Sequence, residues 1–431
     1  MAADLDVVVF GAGGVTGRNV AAYLADRGGE SGLSWAAAGR DPGKVEGVLG
    51  QLGVRAPEIL TADVSQPDGL RAMASRARVV LDLVGPYTRY GRPVIDACVE
   101  SGAHYADLTG ELPFVRGIID AHHERASRDG VKLVQVCGFE ALPADLLVAE
   151  LAELAATDPG DGLRSVDLEV EMTPPPGRPH ASDMVSGGTF QSMATLTGEE
   201  NAALALDPAV LIPDEAAAAS VRVRSPIGLA PRRGGDGSVI APMAPAPYIN
   251  PGVIHRSALL RAQARSETFE PFRYREGIAI SGPPVTLPAR WLAGAALGAT
   301  MAGLSALARS GPAVRRPVAG MMSRFGPRSG FGPTGSRLER WRWRMTASGL
   351  TRAGRQLHAV LDADGHPGYL ATARLLGEAG ILLAQDGATP AVGGCLTPAA
   401  ALGTQCLDRF ARAGLRFSSG LGAPAEAQAR A

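Results

Sequence analysis

The chain has 431 residues, with 42 Lys and Arg against 43 Asp and Glu, a net charge of −1. That length exceeds one typical domain and predicts two, while the charge balance excludes the overall basicity of a nucleic-acid-binding protein. Cys98, Cys137, Cys395 and Cys406 lack ligand-like spacing, which excludes a disulfide framework and a zinc site, so no metal is expected.

The first element is an apolar strand, Val7–Phe10, running straight into Gly11-Ala12-Gly13-Gly14-Val15-Thr16-Gly17. A strand, a glycine turn and a helix start in this order hold a pyrophosphate. Gly11 permits the tight turn, Gly13 or Gly14 lets backbone N–H groups approach the phosphates, and Gly17 lets the helix lie close to the sheet. The competing reading is a glycine-rich loop without a ligand. Further apolar segments follow at 33–38, 59–62, 79–84, 104–107 and 131–137. They alternate with helical runs at 19–27, 42–52, 67–76, 93–101 and 113–128, several opening on proline. This alternation predicts an α/β fold, an N-terminal Rossmann-type doubly wound parallel sheet over residues 1–150. Ligands in such sheets bind beyond the carboxyl ends of the strands.

The end of the second strand reads Ala38-Gly39-Arg40-Asp41-Pro42, with Arg40 where NAD sites usually carry an acid. A guanidinium there forks onto a 2′-phosphate, so NADP (NADPH) is expected as cofactor. Asp41 reads as a helix N-cap before Pro42. Asp63, after the third strand, either faces the adenine or caps its own turn. The fourth strand ends at Gly85-Pro86-Tyr87, beside the expected nicotinamide. Around it lie Tyr90, His104, Tyr105 and Glu111, of which His104 and Tyr105 read as core. Tyr87, Tyr90 and Glu111 are the candidate catalytic residues, with Tyr87 either a proton donor or a positioner of the cofactor. Only two lysines exist, Lys44 and Lys132, and neither is placed for a Ser/Thr–Tyr–Lys dehydrogenase constellation.

The block Val84-Gly85-Pro86-Tyr87-Thr88-Arg89-Tyr90-Gly91-Arg92-Pro93, continued by Gly102-Ala103-His104-Tyr105-Ala106-Asp107-Leu108-Thr109-Gly110-Glu111, resembles the saccharopine dehydrogenase-like oxidoreductases. Among these it is most similar to the trans-acting enoyl reductases of actinobacteria. Matching pieces continue at Cys137–Asp145, Ser186–Thr189, Phe272–Tyr274 and Leu396–Ala399, so the resemblance covers nearly the whole chain. It implies reduction of an α,β-unsaturated acyl thioester, carried by an acyl carrier protein or polyketide synthase, in polyketide or lipid biosynthesis. It also implies that the C-terminal segment packs back on the nucleotide domain. Glu140-Ala141 departs from the family's usual Asp-Ser, which puts a role for that acid in question. Two other readings stay open. One is an amino-acid or imine dehydrogenase, which needs paired arginines for an α-carboxylate, with Arg89 and Arg92 as candidates. The other is a lipid-associated scaffold that binds NADP without turnover.

Past residue 150 a mixed α+β substrate and dimerisation domain is expected over 151–365. Its strands are read at 164–172, 273–279 and 341–345, and loops are read throughout 226–251. Ser186-Gly187-Gly188-Thr189 opens a helical run, either offering backbone donors to the substrate or simply capping the helix. Residues 366–431 are expected to be C-terminal helices, at 369–383 and 398–413, with a disordered tail from 424. Trp291–Ala308 is a run of eighteen uncharged residues, about 27 Å long if helical. From Arg290 to Arg355 twelve arginines face one acid, Glu339. Three readings of this basic, apolar band (290–355) compete: peripheral membrane contact, docking of an acidic carrier protein, or a buried or homodimer-interface helix. The N-terminus shows no signal peptide, so a cytoplasmic location is expected, peripheral at the inner membrane face in the first of these readings.

Overall fold

The computed structural model describes residues 3–177, 187–327 and 337–422. Ser186 and the tail from 424 therefore lie outside the described residues.

The first half alternates as expected: β1 (Leu5–Phe10), α1 (Val15–Ser31), β2 (Trp35–Gly39), α2 (Pro42–Gly50), β3 (Ile59–Thr61), α3 (Pro67–Ala74), β4 (Ala77–Asp82), α4 (Tyr87–Ser101), β5 (His104–Asp107), α5 (Leu112–Asp129), β6 (Lys132–Val134) and α6 (Leu142–Ala156). These strands form an all-parallel sheet, completed by a late strand, β13 (Gly394–Leu396), in the order β13-β6-β5-β4-β1-β2-β3. Val7 and Val9 of β1 enter one core cluster while Val8 and Phe10 enter another, so both faces of the sheet are covered. The chain runs from β1 out to β2 and β3, then places β4 on the other side of β1. The topological switch point lies there.

The second half contains β7 (Leu163–Thr173), α7 (Gly187–Gly198), α8 (Glu215–Arg224), β8 (Arg232–Arg233), β9 (Val239–Ala241), α9 (Ala246–Ala264), β10 (Arg273–Ile280), α10 (Leu287–Arg309), α11 (Pro312–Phe325), β11 (Arg342–Thr351) and β12 (Gln356–Asp364). The C-terminal part adds α12 (Thr372–Ala384), β13 (Gly394–Leu396), α13 (Pro398–Leu402) and β14 (Leu415–Leu421). The second sheet is mixed, ordered β14-β12-β11-β7-β10-β9-β8, with β7 and β10 parallel and the other pairs antiparallel. Leu147 and Leu151 of α6 share one core cluster with Leu357 and Leu361 of this sheet, so the two units have a continuous interior.

α12 is buried nearly all round and lies on the first sheet beside α1. Gly377 and Gly380 permit that approach, since a Cβ on them would sit 2.4 Å from Tyr23 and 3.0 Å from Leu81. Its buried Glu378 accepts a hydrogen bond from Tyr23 Oη at 2.7 Å and lies 3.6 Å from Arg27 and 3.4 Å from Arg409.

Several expected elements differ. α4 begins at Tyr87 rather than Pro93, because a carboxylate from the next loop caps it, and Pro93 sits inside the helix. The stretch 226–251 is not all loop: β8 and β9 form there, and α9 starts at Ala246, with Pro247 in its first turn. The expected helix at 398–413 is split at Gly403 (φ +72°) into α13 and a 3₁₀ run, Leu407–Ala413. After it, β14 adds a strand to the second sheet where only helix and tail were expected.

Candidate active site

The carboxyl ends of β1, β2, β4, β5 and β6 open into a cavity of about 1220 Å³. All the expected site residues line it: Gly11, Gly13, Gly14, Val15, Thr16, Gly17, Arg40, Asp63, Gly85, Pro86, Tyr87, Tyr90 and Glu111. The volume exceeds the roughly 300–1,000 Å³ of an ordinary small-molecule pocket, leaving room for a second ligand beside a nucleotide.

The glycine turn has the geometry that a pyrophosphate needs. Gly11 has φ +87°, and Gly14 N–H donates to Gly11 O at 3.0 Å, closing the turn. A Cβ on Gly17 would stand 2.2 Å from Gly11 O, so only glycine lets α1 start this close to β1. No side chain caps α1 and no acid lies in its first turn, which leaves its N–H groups facing the cavity. Arg18, in the same turn, has a buried Nε with no hydrogen-bond partner. This cradle fits a dinucleotide.

At the next loop Arg40 is exposed on the cavity rim, while Asp41 caps α2 by accepting from Lys44 N–H at 3.0 Å. Asp63 accepts from Ser65 N–H and Oγ at 2.8 and 2.7 Å. These bonds, and lastly the charge of Arg40, hold its carboxyl below the usual range. It therefore caps its turn and still lies on the rim.

Two candidate catalytic groups have their polar atoms engaged. Tyr87 Oη donates to Asp82 O at 3.1 Å and accepts from Leu108 N–H at 3.3 Å, pinning the β4 and β5 loops together. Burial raises its phenol well above the ordinary value, with the charges of Asp107 and Asp82 adding to this. Glu111 accepts from Tyr87 N–H (3.1 Å) and Thr88 N–H (2.8 Å) and also from Thr88 Oγ1, so the buried carboxylate caps α4 from outside. Tyr90, three residues after Tyr87 on α4, is exposed at the mouth.

Beneath the loops lies a buried pair of carboxyls. Tyr105 Oη is 3.1 Å from Asp82 Oδ2 and 2.9 Å from Asp107 Oδ2. Asp82 accepts from Val84 N–H, and Asp107 from Thr109 and Val136 N–H, so the pair fixes the loops after β4, β5 and β6. Burial pushes Asp107 up to about 7 and Asp82 well above the usual range. Sequence reasoning missed Asp82 and Asp107, whose place at the ends of adjacent strands was the available signal; Tyr105 between them is core as expected.

The far wall comes from the second half: α7 (Gln191, Ser192, Thr195, Leu196), the 3₁₀ turn after it (Ala205, Leu206), Tyr248 and Ile249 of α9, and Leu304 and Leu307 of α10. Ser192 reaches across to the nucleotide side, its Oγ 3.9 Å from where a Cβ on Gly85 would stand. Half-buried Glu140, from the β6 loop, also lines the cavity, and burial raises its carboxyl pKa. Sequence reasoning left Glu140 in question and missed Ser192, because neither belongs to a local motif. Arg89 lines the cavity, but Arg92 lies outside its lining, 3.9 Å from Asp96 on the exposed side of α4. Arg89 and Arg92, the pair read for an α-carboxylate, therefore do not share the cavity.

Residues 7–134 match the saccharopine dehydrogenase NADP binding domain, so the cofactor is NADP(H). Trans-acting enoyl reductases of Mycobacterium tuberculosis and Mycobacterium ulcerans are 34% and 33% identical over 429 and 430 residues. Both alignments cover 96% of this chain, and 97% and 98% of the respective relatives. Saccharopine dehydrogenase (L-Glu forming) of Saccharomyces cerevisiae shares the fold at a TM-score of 0.50. That alignment has 11% identity and covers 97% of this chain and 99% of the yeast one. The N-terminal cradle, the second mixed sheet and end-to-end similarity lead to one assignment: the chain belongs to the trans-acting enoyl reductases, NADP-dependent oxidoreductases on the saccharopine dehydrogenase fold.

Proposed function

We propose that the protein reduces the carbon–carbon double bond of an α,β-unsaturated acyl thioester presented by a separate carrier protein or polyketide synthase. The observation that carries this reading is the apolar surface that Leu196, Leu206, Ile249, Leu304 and Leu307 give the far wall, where no described arginine stands; Arg18, Arg40 and Arg89 all line the nucleotide side. A neutral acyl chain suits such a wall, whereas an amino-acid substrate would leave its carboxylate poorly matched. When bound, NADPH supplies the hydride for the β-carbon. The chain's own residues then have two tasks. Ser192 Oγ, facing Gly85, is the hydrogen-bond donor for the thioester oxygen as charge builds there. Glu140, whose carboxyl burial pushes above the usual range, is the group that in its protonated form delivers the proton to the α-carbon. Tyr87 and Glu111 hold the loops in place around them.

The test is NADPH oxidation with a crotonyl-type thioester and, in parallel, with an imine-forming substrate. Glu140→Gln is expected to lower kcat by about a hundredfold or more with unchanged NADPH affinity. The wild-type rate is expected to fall as pH rises through the Glu140 pKa, because the protonated form acts. Tyr87→Phe, by contrast, is expected to lower stability and leave the shape of that pH profile intact. Turnover of the imine with none of the thioester refutes the substrate assignment. Wild-type kcat in Glu140→Gln removes the proton donor.

A further inference from the structure

Among the described residues one helix, within Pro284–Arg309, is long and apolar enough to cross a membrane, and only 22% of its most apolar window is buried. The inward side of α10 is a stripe of Arg290, Gly294, Gly298, Met301 and Ser305. Gly294 and Gly298 seat it tightly: a Cβ on Gly298 would be 2.5 Å from Leu229 O, and one on Gly294 3.0 Å from Pro231. The Gly294-x-x-x-Gly298 spacing thus serves packing on the protein's own body. Both ends of the stripe are pinned. Arg290 donates to Gly237 O and Ile280 O at 3.3 Å, and Tyr248 Oη donates to Met301 O at 2.7 Å. The helix therefore cannot roll its outer side inward, and of the three readings that of a helix buried within the chain does not hold among the described residues.

That outer side is apolar. Leu292 (73% exposed) projects from it, Trp291 and Leu297 are exposed along its two edges, and Val314, Met321 and Phe325 (77% exposed) project from α11. Isolated exposed apolar side chains are ordinary, but six large ones on two consecutive helices are not. From Leu287 to Phe325 the only charged residues are five arginines, with no acid among them. Arg309, Arg316 and Arg324 are exposed, and Arg324 lies 5.6 Å over the Phe325 ring.

We infer that the outer face of α10 and α11 docks on an anionic lipid bilayer, lying in the interface rather than spanning it. The charge pattern selects this occupant. A second copy paired across a two-fold axis would set this face against itself, Arg309 and Arg324 against their own kind, while a neighbouring acid, Glu200, is already paired with Arg316 at 3.2 Å. A soluble acidic partner answers the arginines but not the aliphatic surface between them. An anionic bilayer offers phosphate and hydrocarbon within one layer, the combination that basic, aromatic-bearing interfacial helices use. Leu304 and Leu307 of α10 also wall the cavity, so the docked surface adjoins the cavity's apolar end. The inference does not depend on which substrate is reduced.

The experiment is flotation of the full chain with vesicles of phosphatidylcholine alone or with added phosphatidylglycerol, at low and high salt, alongside light scattering. Flotation with the anionic vesicles at low salt, weakened by salt, is expected. Leu292→Asp combined with Leu297→Asp, and separately Phe325→Asp, is expected to lower the bound fraction by about tenfold. Arg309→Ala and Arg324→Ala should each weaken partitioning by roughly fivefold. All are exposed positions, so an unchanged melting curve accompanies each loss. Absence of flotation overturns the inference, as does flotation that none of these variants reduces. A dimer that Leu292→Asp dissociates, without lipid binding, assigns the face to a second copy instead.

Discussion

Replacing Gly17 by alanine separates the structural and ligand-binding demands of the glycine turn. The added Cβ would stand 2.2 Å from Gly11 O and 2.9 Å from Ala12 Cα, both backbone atoms that cannot swing away. Ordinary contact begins at 3.4 Å, so α1 has to retreat from β1 by about 1 Å. Overpacking of this kind costs about 1–3 kcal/mol of stability. The same retreat carries the N–H groups of the first turn beyond hydrogen-bonding reach of a phosphate, and each such charged bond contributes about 1.5–3 kcal/mol. NADPH affinity is therefore expected to fall by roughly tenfold to a hundredfold. Gly13→Ala is the matched control. Its Cβ meets nothing closer than Val45 at 3.7 Å, yet Gly13 lines the cavity. The melting curve should stay within the ordinary range for surface changes, about 0.5 kcal/mol, while NADPH binding weakens because the methyl group enters the cavity. Denaturant unfolding and fluorescence titration with NADPH measure both. Wild-type stability in Gly17→Ala, or equal destabilisation by the two changes, would refute the reasoning.

Two further perturbations bear on the rim and the buried acids. Arg40→Asp should weaken NADPH by about 1.5–3 kcal/mol and spare NADH, because only the former carries the 2′-phosphate. Equal losses for both nucleotides in parallel titrations would place the phosphate elsewhere. Asp107 titrates near 7 in the folded chain but near about 4 when unfolded. Between those values the folded state holds a proton that the unfolded state has released. Stability is thus expected to fall as pH rises from about 4 to about 7, by an amount on the order of 1–4 kcal/mol. Asp145 and Glu276, also raised to about 7 by burial, act in the same direction. Asp107→Asn keeps an acceptor for Thr109 and Val136 N–H and should flatten the slope in urea unfolding at about pH 5 and about pH 8. An unaltered slope would show that another group dominates.

The cofactor half was legible because its signals are local. A strand feeding Gly11–Gly17, an arginine at the end of the second strand and regular β/α alternation each occupy a few adjacent residues. The chain at 104–107 folds into the strand its pattern predicted, and Asp41 caps the helix it precedes. The glycine at 17 is required by atoms only six residues away, so the sequence nearly contains its own explanation.

What tertiary structure alone decided are matters of contact between distant segments. Tyr87 and Glu111 stood out as chemistry-bearing residues, but the bonds that occupy them come from Asp82, Leu108 and the start of α4. Glu140 and Ser192 face one cavity only because the second half folds α7 over the nucleotide loops. Strands β14 and β12 lie at and next to the edge of a sheet whose central β7–β11 pairing joins segments more than 160 residues apart, and no local signal told which segments would pair. Composition likewise identified an apolar helix among arginines, yet not whether it faced inward. Two glycines against Leu229 and Pro231 settled that, because close backbone approach fixes which side of a helix is left outside.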